Sequence, residues 1–281
     1  MNNRGRSYKR AYNGEQEKQL SYKLRKDITM KKLTAILLTF IIMLSLVPFS
    51  SAASEITSVA DRDGIIRDDD SYRVAVATVG EEQYIATYDK KADTVKLERV
   101  SNVTGEVEAS VTRDMNTGYR EATKNGVVTE IMPDEGVAPR VSIGKQTTLT
   151  NYSYNYKGAS SCSLGRPRFA EEPDGVIYSL LTVERASNKD YLANFKNEVG
   201  DIYAKEQTIC TLVSAATFTK AVGDSMVLAT SGAALGTAIG VYFTALGFGV
   251  SIKIACNELG ALMNTAETTF DMVRDDYIYY L

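Results

Sequence analysis

The run Ser225–Ile252 constrains this chain more than any other stretch: its 28 residues include no Asp, Glu, Lys or Arg. Within it, Gly232, Gly236 and Gly240 recur at every fourth position. On a helix that spacing puts all three on one face. A face without side chains lets a second helix approach closely, which is the small-xxx-small pattern of membrane helix packing. Two arrangements satisfy the run: a helix that enters a bilayer, or the central helix of a small helical core. Its charge-free length favours the first. A helix over 225–246 would extend roughly 33 Å at 1.5 Å per residue, against a hydrocarbon core roughly 30 Å thick.

A second apolar run lies near the N-terminus and has a different grammar. Met30 is followed by Lys31 and Lys32, then by the apolar stretch Leu33–Val47, Pro48, and the small residues Ser50-Ser51-Ala52-Ala53. That order describes a cleaved secretory signal over 30–53. Residues 1–29 are basic, polar and aperiodic, and read as a disordered extension upstream of the working start. Charge divides at the same place. Residues 1–53 carry ten basic and three acidic side chains, and the remainder twenty-two basic and thirty-two acidic. The expected exported product is therefore acidic, which argues against nucleic acid as a partner, because phosphate neutralisation needs a basic face.

Composition removes several chemistries. The chain has no His and no Trp, so His-based triads, Cys–His dyads and His-ligated metals are excluded. Three cysteines, Cys162, Cys210 and Cys256, are too few and too scattered for a closed zinc site. No phosphate-binding glycine loop occurs, and Gly223-Asp-Ser225-Met-Val lacks the last glycine of a nucleophile elbow. The expectation is a non-enzyme without cofactor or metal. Export permits disulfides. Cys210 and Cys256 both fall in the expected helical region, where a bridge would staple two helices; the alternative is three buried free thiols. Asp61-Arg-Asp63-Gly64 with Asp68–Asp70 departs from the EF-hand spacing and reads as a solvated acidic linker.

The remaining punctuation implies an α+β chain. A linker is expected over 54–71 and a β-rich module over 72–140. Alternation marks strands at Tyr72–Val76, Tyr84–Tyr88, Val95–Glu98 and Val107–Val111, and Asn125-Gly126 marks a tight hairpin. A short β segment is expected over 141–186. In it Tyr152, Tyr154 and Tyr156 share one strand face, either a half-buried sheet face or a carbohydrate-binding one, and Val176–Val183 adds an apolar strand. From 187 to 281 the period becomes helical. Ser187 with Asp190 caps an amphipathic helix to about Val222, Gly223 and Asp224 mark its end and the next cap, and Gly247-Phe-Gly249 breaks the second helix before a last one over about 250–273.

Tyr191-Leu-Ala-Asn-Phe195-Lys-Asn-Glu-Val199, the small-residue run through Gly232, Gly236 and Gly240, and then Ala255-Cys-Asn257 resemble in order and texture the C-terminal half of the geobacillin 26-like proteins, over about residues 150–265. That resemblance implies a large, unmodified, secreted bacteriocin that inhibits related bacteria, and it carries over no active-site residue. The combined expectation is a secreted antibacterial protein: an antiparallel β-meander module followed by a C-terminal helical hairpin or bundle. Its partner would be the bacterial membrane, with self-association through Gly232, Gly236 and Gly240. In the soluble form this glycine face would lie against the helix over 189–222. The rival expectation is a secreted, non-catalytic adhesion or interaction protein whose apolar helices are only a soluble core. A hydrolase lacking His is a third.

Overall fold

The first seven strands form one antiparallel sheet in strict sequence order: β1 (Gly64–Asp68), β2 (Tyr72–Val79), β3 (Glu82–Asp89), β4 (Thr94–Ser101), β5 (Val107–Asp114), β6 (Arg120–Lys124) and β7 (Val127–Ile131). The computed structural model describes residues 63–124, 126–131, 140–142, 145–156, 161–170 and 177–279. The expected signal over 30–53, the extension before it and Asn125 lie outside them. A second antiparallel sheet follows, with strand order β12-β11-β10-β9-β8. Its strands are β8 (Arg140–Ser142), β9 (Lys145–Thr147), β10 (Ser153–Tyr156), β11 (Ser161–Pro167) and β12 (Ile177–Val183). Four helices follow among the described residues: α1 (Lys189–Leu212), α2 (Ala215–Met226), α3 (Gly232–Leu246) and α4 (Val250–Tyr279). The fold is α+β, an antiparallel sheet region followed by C-terminal helices.

Alternation builds the meander. On β4, Val95, Leu97 and Arg99 are buried while Lys96 and Glu98 take the other face. Register carries this face across the sheet in a row, Ala75–Ala86–Leu97–Val111–Ala122, and Ala77 and Ala109 extend it. Five alanines on one face leave a shallow floor, and α3 lies on it against β1–β4. At the β6–β7 hairpin Gly126 has φ +75, the left-handed conformation that glycine adopts without steric cost.

Several elements depart from the sequence reading. The expected linker contains a strand, β1, whose alternation is interrupted by an irregularity in pairing between Ile65 and Arg67. Cys162, expected in a loop, is fully buried in β11. Of the three tyrosines, Tyr152 and Tyr154 are core residues and only Tyr156 is exposed. Tyr152 donates from its hydroxyl to the Met263 carbonyl of α4 at 3.1 Å, so this face is mostly a packing surface.

The long amphipathic helix is also two helices. Val213 is extended, and Ser214 caps α2 by accepting from the Thr217 N–H at 3.1 Å. At the front of α1 the cap position belongs to Asn188, whose side chain makes no cap bond. It accepts instead from the Arg185 N–H at 2.8 Å and donates to the Val183 carbonyl at 3.0 Å, tying α1 to the end of β12. Asp224 does not start a helix, and Gly223 does not end one: both lie inside α2.

A buried carboxylate joins the second sheet to α1. Glu206 is fully buried and accepts from the Leu149 N–H at 2.8 Å, the Thr150 N–H at 2.8 Å and the Thr150 hydroxyl at 2.7 Å. These three donors hold the β9–β10 turn and favour the ionised form, but burial outweighs them and pushes the carboxyl up to about 7. A carboxyl that is more basic folded than unfolded binds its proton more tightly in the native state. Its contribution to stability is therefore full below about 4.3, the ordinary glutamate value, and is lost as pH rises to 7. Urea midpoints measured from pH 4.5 to 7.5 should fall more steeply for the wild-type protein than for Glu206→Gln. Parallel curves would show that Glu206 does not titrate in this window.

Candidate functional site

The charge-free run does not form one helix. It supplies the end of α2, a turn over 227–231, all of α3 and the start of α4. The turn arises because Ser231 is extended and caps α3, accepting from the Ala234 N–H at 3.2 Å. The other end stops where expected. Gly247 takes φ +94 and its N–H reaches the Thr244 carbonyl at 3.1 Å, while the Phe248 N–H reaches the Phe243 carbonyl at 3.0 Å. At 15 residues α3 is roughly 22 Å long. Among the described residues, no helix is long and apolar enough to cross a membrane.

Eleven of the fifteen α3 residues are buried, and its partner on the glycine side is α4. A Cβ placed on Gly232 would lie 2.7 Å from both the Asn264 nitrogen and the Met263 carbonyl carbon. One on Gly236 would overlap the Gly260 Cα and lie 2.6 Å from the Cys256 carbonyl oxygen. One on Gly240 would meet the Cys256 Cβ at an ordinary 3.4 Å. The expectation that this face rests on 189–222 is thus corrected: Gly232, Gly236 and Gly240 face α4, and Gly236 and Gly260 touch backbone to backbone. The reason is complementarity. Cys256 and Gly260 are four residues apart and form the matching small face on α4. That spacing was legible in the sequence beside the Ala255-Cys-Asn257 segment.

The bridge considered between Cys210 and Cys256 is not formed in the structure. All three thiols are free. Cys256 is fully buried against α3, and burial pushes its thiol up to about 12. Cys210 is half-buried on α1, where burial and the neighbouring Glu206 raise its thiol as well. Neither sulfur is a thiolate at neutral pH, and Cys256 is directed at the glycine face.

Polar clamps secure both ends of α3. Arg113 of β5 donates to Asp224 of α2 through Nε and Nη2, each at 2.6 Å, and Arg120 Nη1 lies 3.4 Å from the same carboxylate. All three side chains are buried. Burial opposes the Arg113 charge, but the hydrogen bonds and field of Asp224 outweigh it and raise the guanidinium above its usual range. Gly223 makes room here, since a Cβ on it would lie 3.2 Å from Arg120 Nη1. A second clamp holds the turn before α3. Arg99 Nη1 donates to the Leu228 carbonyl at 3.1 Å, and Glu82 accepts from the Thr230 hydroxyl at 2.8 Å and the Tyr84 hydroxyl at 2.7 Å. At the far end Arg73 lies against Gly247, close enough that a Cβ there would collide with its guanidinium. A cation suits that position because the C-terminal carbonyls of a helix are its negative pole. None of these arginines stood out in the sequence, because nothing local marks an inward-facing charge on a strand.

The acidic stretch near β1 is taken up by local cations. Asp68 pairs with Arg73 at 3.0 Å and Lys90 at 2.5 Å, and Asp69 with Arg67 at 2.5 Å. Among the described residues no group of His, Cys, Asp or Glu is arranged to hold a metal ion. No protein-family model matches the chain, and no curated protein or solved structure matches it either.

Proposed function

We propose that this chain is a secreted, bacteriocin-like antibacterial protein that acts at the membrane of related bacteria, with α3 and α4 as its membrane-active hairpin. The observation that carries this reading is the seating of α3. It is a charge-free helix with eleven of its fifteen residues buried, a pattern that belongs either to a core or to a membrane span. It meets the meander over an alanine floor and α4 through glycines, with Phe243 stacked on Phe218 of α2, and its ends are held by discrete polar clamps. Opening the 227–231 turn would let residues 225–246 join in one helix of roughly 33 Å, enough for a hydrocarbon core of roughly 30 Å. The glycine face released from α4 would then be free to pair with another copy.

The rival reading is a secreted interaction protein in which α3 is ordinary core. It is favoured by the extent of α3 burial and by the length of α3 as it stands in the fold. One pair of measurements on the mature protein separates the two. Dye-loaded liposomes should leak, and lawns of related bacteria should show inhibition zones. Intact liposomes and intact lawns, with the protein folded, would leave the interaction reading standing.

A further inference from the structure

The α3–α4 turn carries a feature that burial of α3 does not explain. Val250 is 66% exposed and Ile254 54% exposed, one helical turn apart on the outer side of α4. Phe248 is half-buried beside them, its ring edge-on to Phe243 with centroids 5.4 Å apart. The tip is well formed: the Ile252 N–H donates to the Gly249 carbonyl at 3.1 Å. A Cβ added at Gly249 would have nothing within 4 Å, so the tip borders open space. From Ser225 to Asn257 the sole charged residue is Lys253, between the two exposed apolar residues. Behind the tip, Arg73 is balanced by Asp68. An apolar cluster carrying one cation, on an otherwise acidic chain, fits an interface of acyl chains below anionic phosphates.

We infer that Phe248, Val250 and Ile254 form the first contact with a lipid surface, with Lys253 at the phosphate level. This inference rests on the membrane-active reading but does not require pore formation. A protein partner would be expected to offer an acidic rim around a shaped pocket, whereas this cluster is small and borders open space at Gly249, which suits a fluid surface.

The chain has no tryptophan, so a single introduced one reports its own surroundings. Val250→Trp is compared with Val103→Trp, a 75% exposed position in the β4–β5 turn; Ile254→Trp repeats the measurement at the tip. Vesicles of phosphatidylglycerol and phosphatidylethanolamine should shift emission to the blue at 250 and 254 but not at 103, and brominated acyl chains should quench only the first two. In the untagged protein, Val250→Glu with Ile254→Glu should lower vesicle binding at least about tenfold, because each exposed aliphatic side chain that enters the acyl region adds to binding. Lys253→Gln should weaken binding to these vesicles but not to phosphatidylcholine alone. No shift at 250 and 254 with vesicles present overturns the inference. So does a shift that follows protein concentration without lipid, which would assign the cluster to a second copy. Lipid contact at the tip without dye leakage would keep the inference and remove the bilayer-spanning helix over 225–246 from the proposed function.

Discussion

Replacing Gly236 with Ile should lower the stability of the soluble protein by about 3 kcal/mol or more, the upper end of overpacking costs. The atoms in the way are the Gly260 Cα and nitrogen and the Cys256 carbonyl oxygen. These are backbone, so relief requires α3 and α4 to separate. Even Gly236→Ala should destabilise, although alanine in an unobstructed helix gains about 1 kcal/mol over glycine. The order of cost for alanine should be Gly236, then Gly232, then Gly240, whose Cβ neighbour at 3.4 Å is ordinary contact. Gly249→Ala, with open space around it, should change stability by less than about 0.5 kcal/mol. Ala238, two positions off the glycine face, gives no neutral control because it is fully buried. Thermal melts would show the Ile variant about 6–12 °C lower if it folds, taking about 2–4 °C per kcal/mol for a domain of this size. A Gly236→Ile protein that melts with the wild type would mean that the two helices do not meet as described.

Asp224→Ala should cost about 3–5 kcal/mol, because it leaves two buried guanidinium groups without their anion. The paired distances of 2.6 Å to Arg113 mark a bidentate contact, and Arg120 loses its partner in the same step. Removing all three charges together, as Arg113→Met, Arg120→Met and Asp224→Leu, should recover most of that loss, since a buried ion cluster contributes little beyond an apolar replacement. Lys205→Ala, which breaks a partly exposed pair with Glu258, should cost no more than about 1 kcal/mol. Chemical denaturation of the four proteins would check the ordering. An Asp224→Ala variant no weaker than Lys205→Ala would remove the clamp from the account of how α3 is held.

These two sites differ in how far the sequence could reveal them. The glycine repeat was legible, because side-chain spacing on a helix follows directly from its geometry. Its partner was assigned wrongly to the helix over 189–222, because that helix and the helix from 250 both had suitable apolar faces. Only shape decided: α4 offers Cys256 and Gly260 at the matching spacing. The Arg113–Asp224 pair joins residues 111 positions apart, and no local pattern distinguishes these two charges from the solvated ones around them.

Local backbone chemistry determined the strand alternation from Tyr72 to Asp114, the tight turn at Gly126, the stop at Gly247 and the need to shelter 28 charge-free residues. Each of those depends on neighbours within a few positions. Tertiary structure alone decided that the run would be split at 227–231, that α3 would lie between an alanine floor and α4, and that Cys256 would face glycines rather than Cys210. Those outcomes depend on which distant surfaces fit at close range. Periodicity fixes the face an element buries, but not the surface that will cover it.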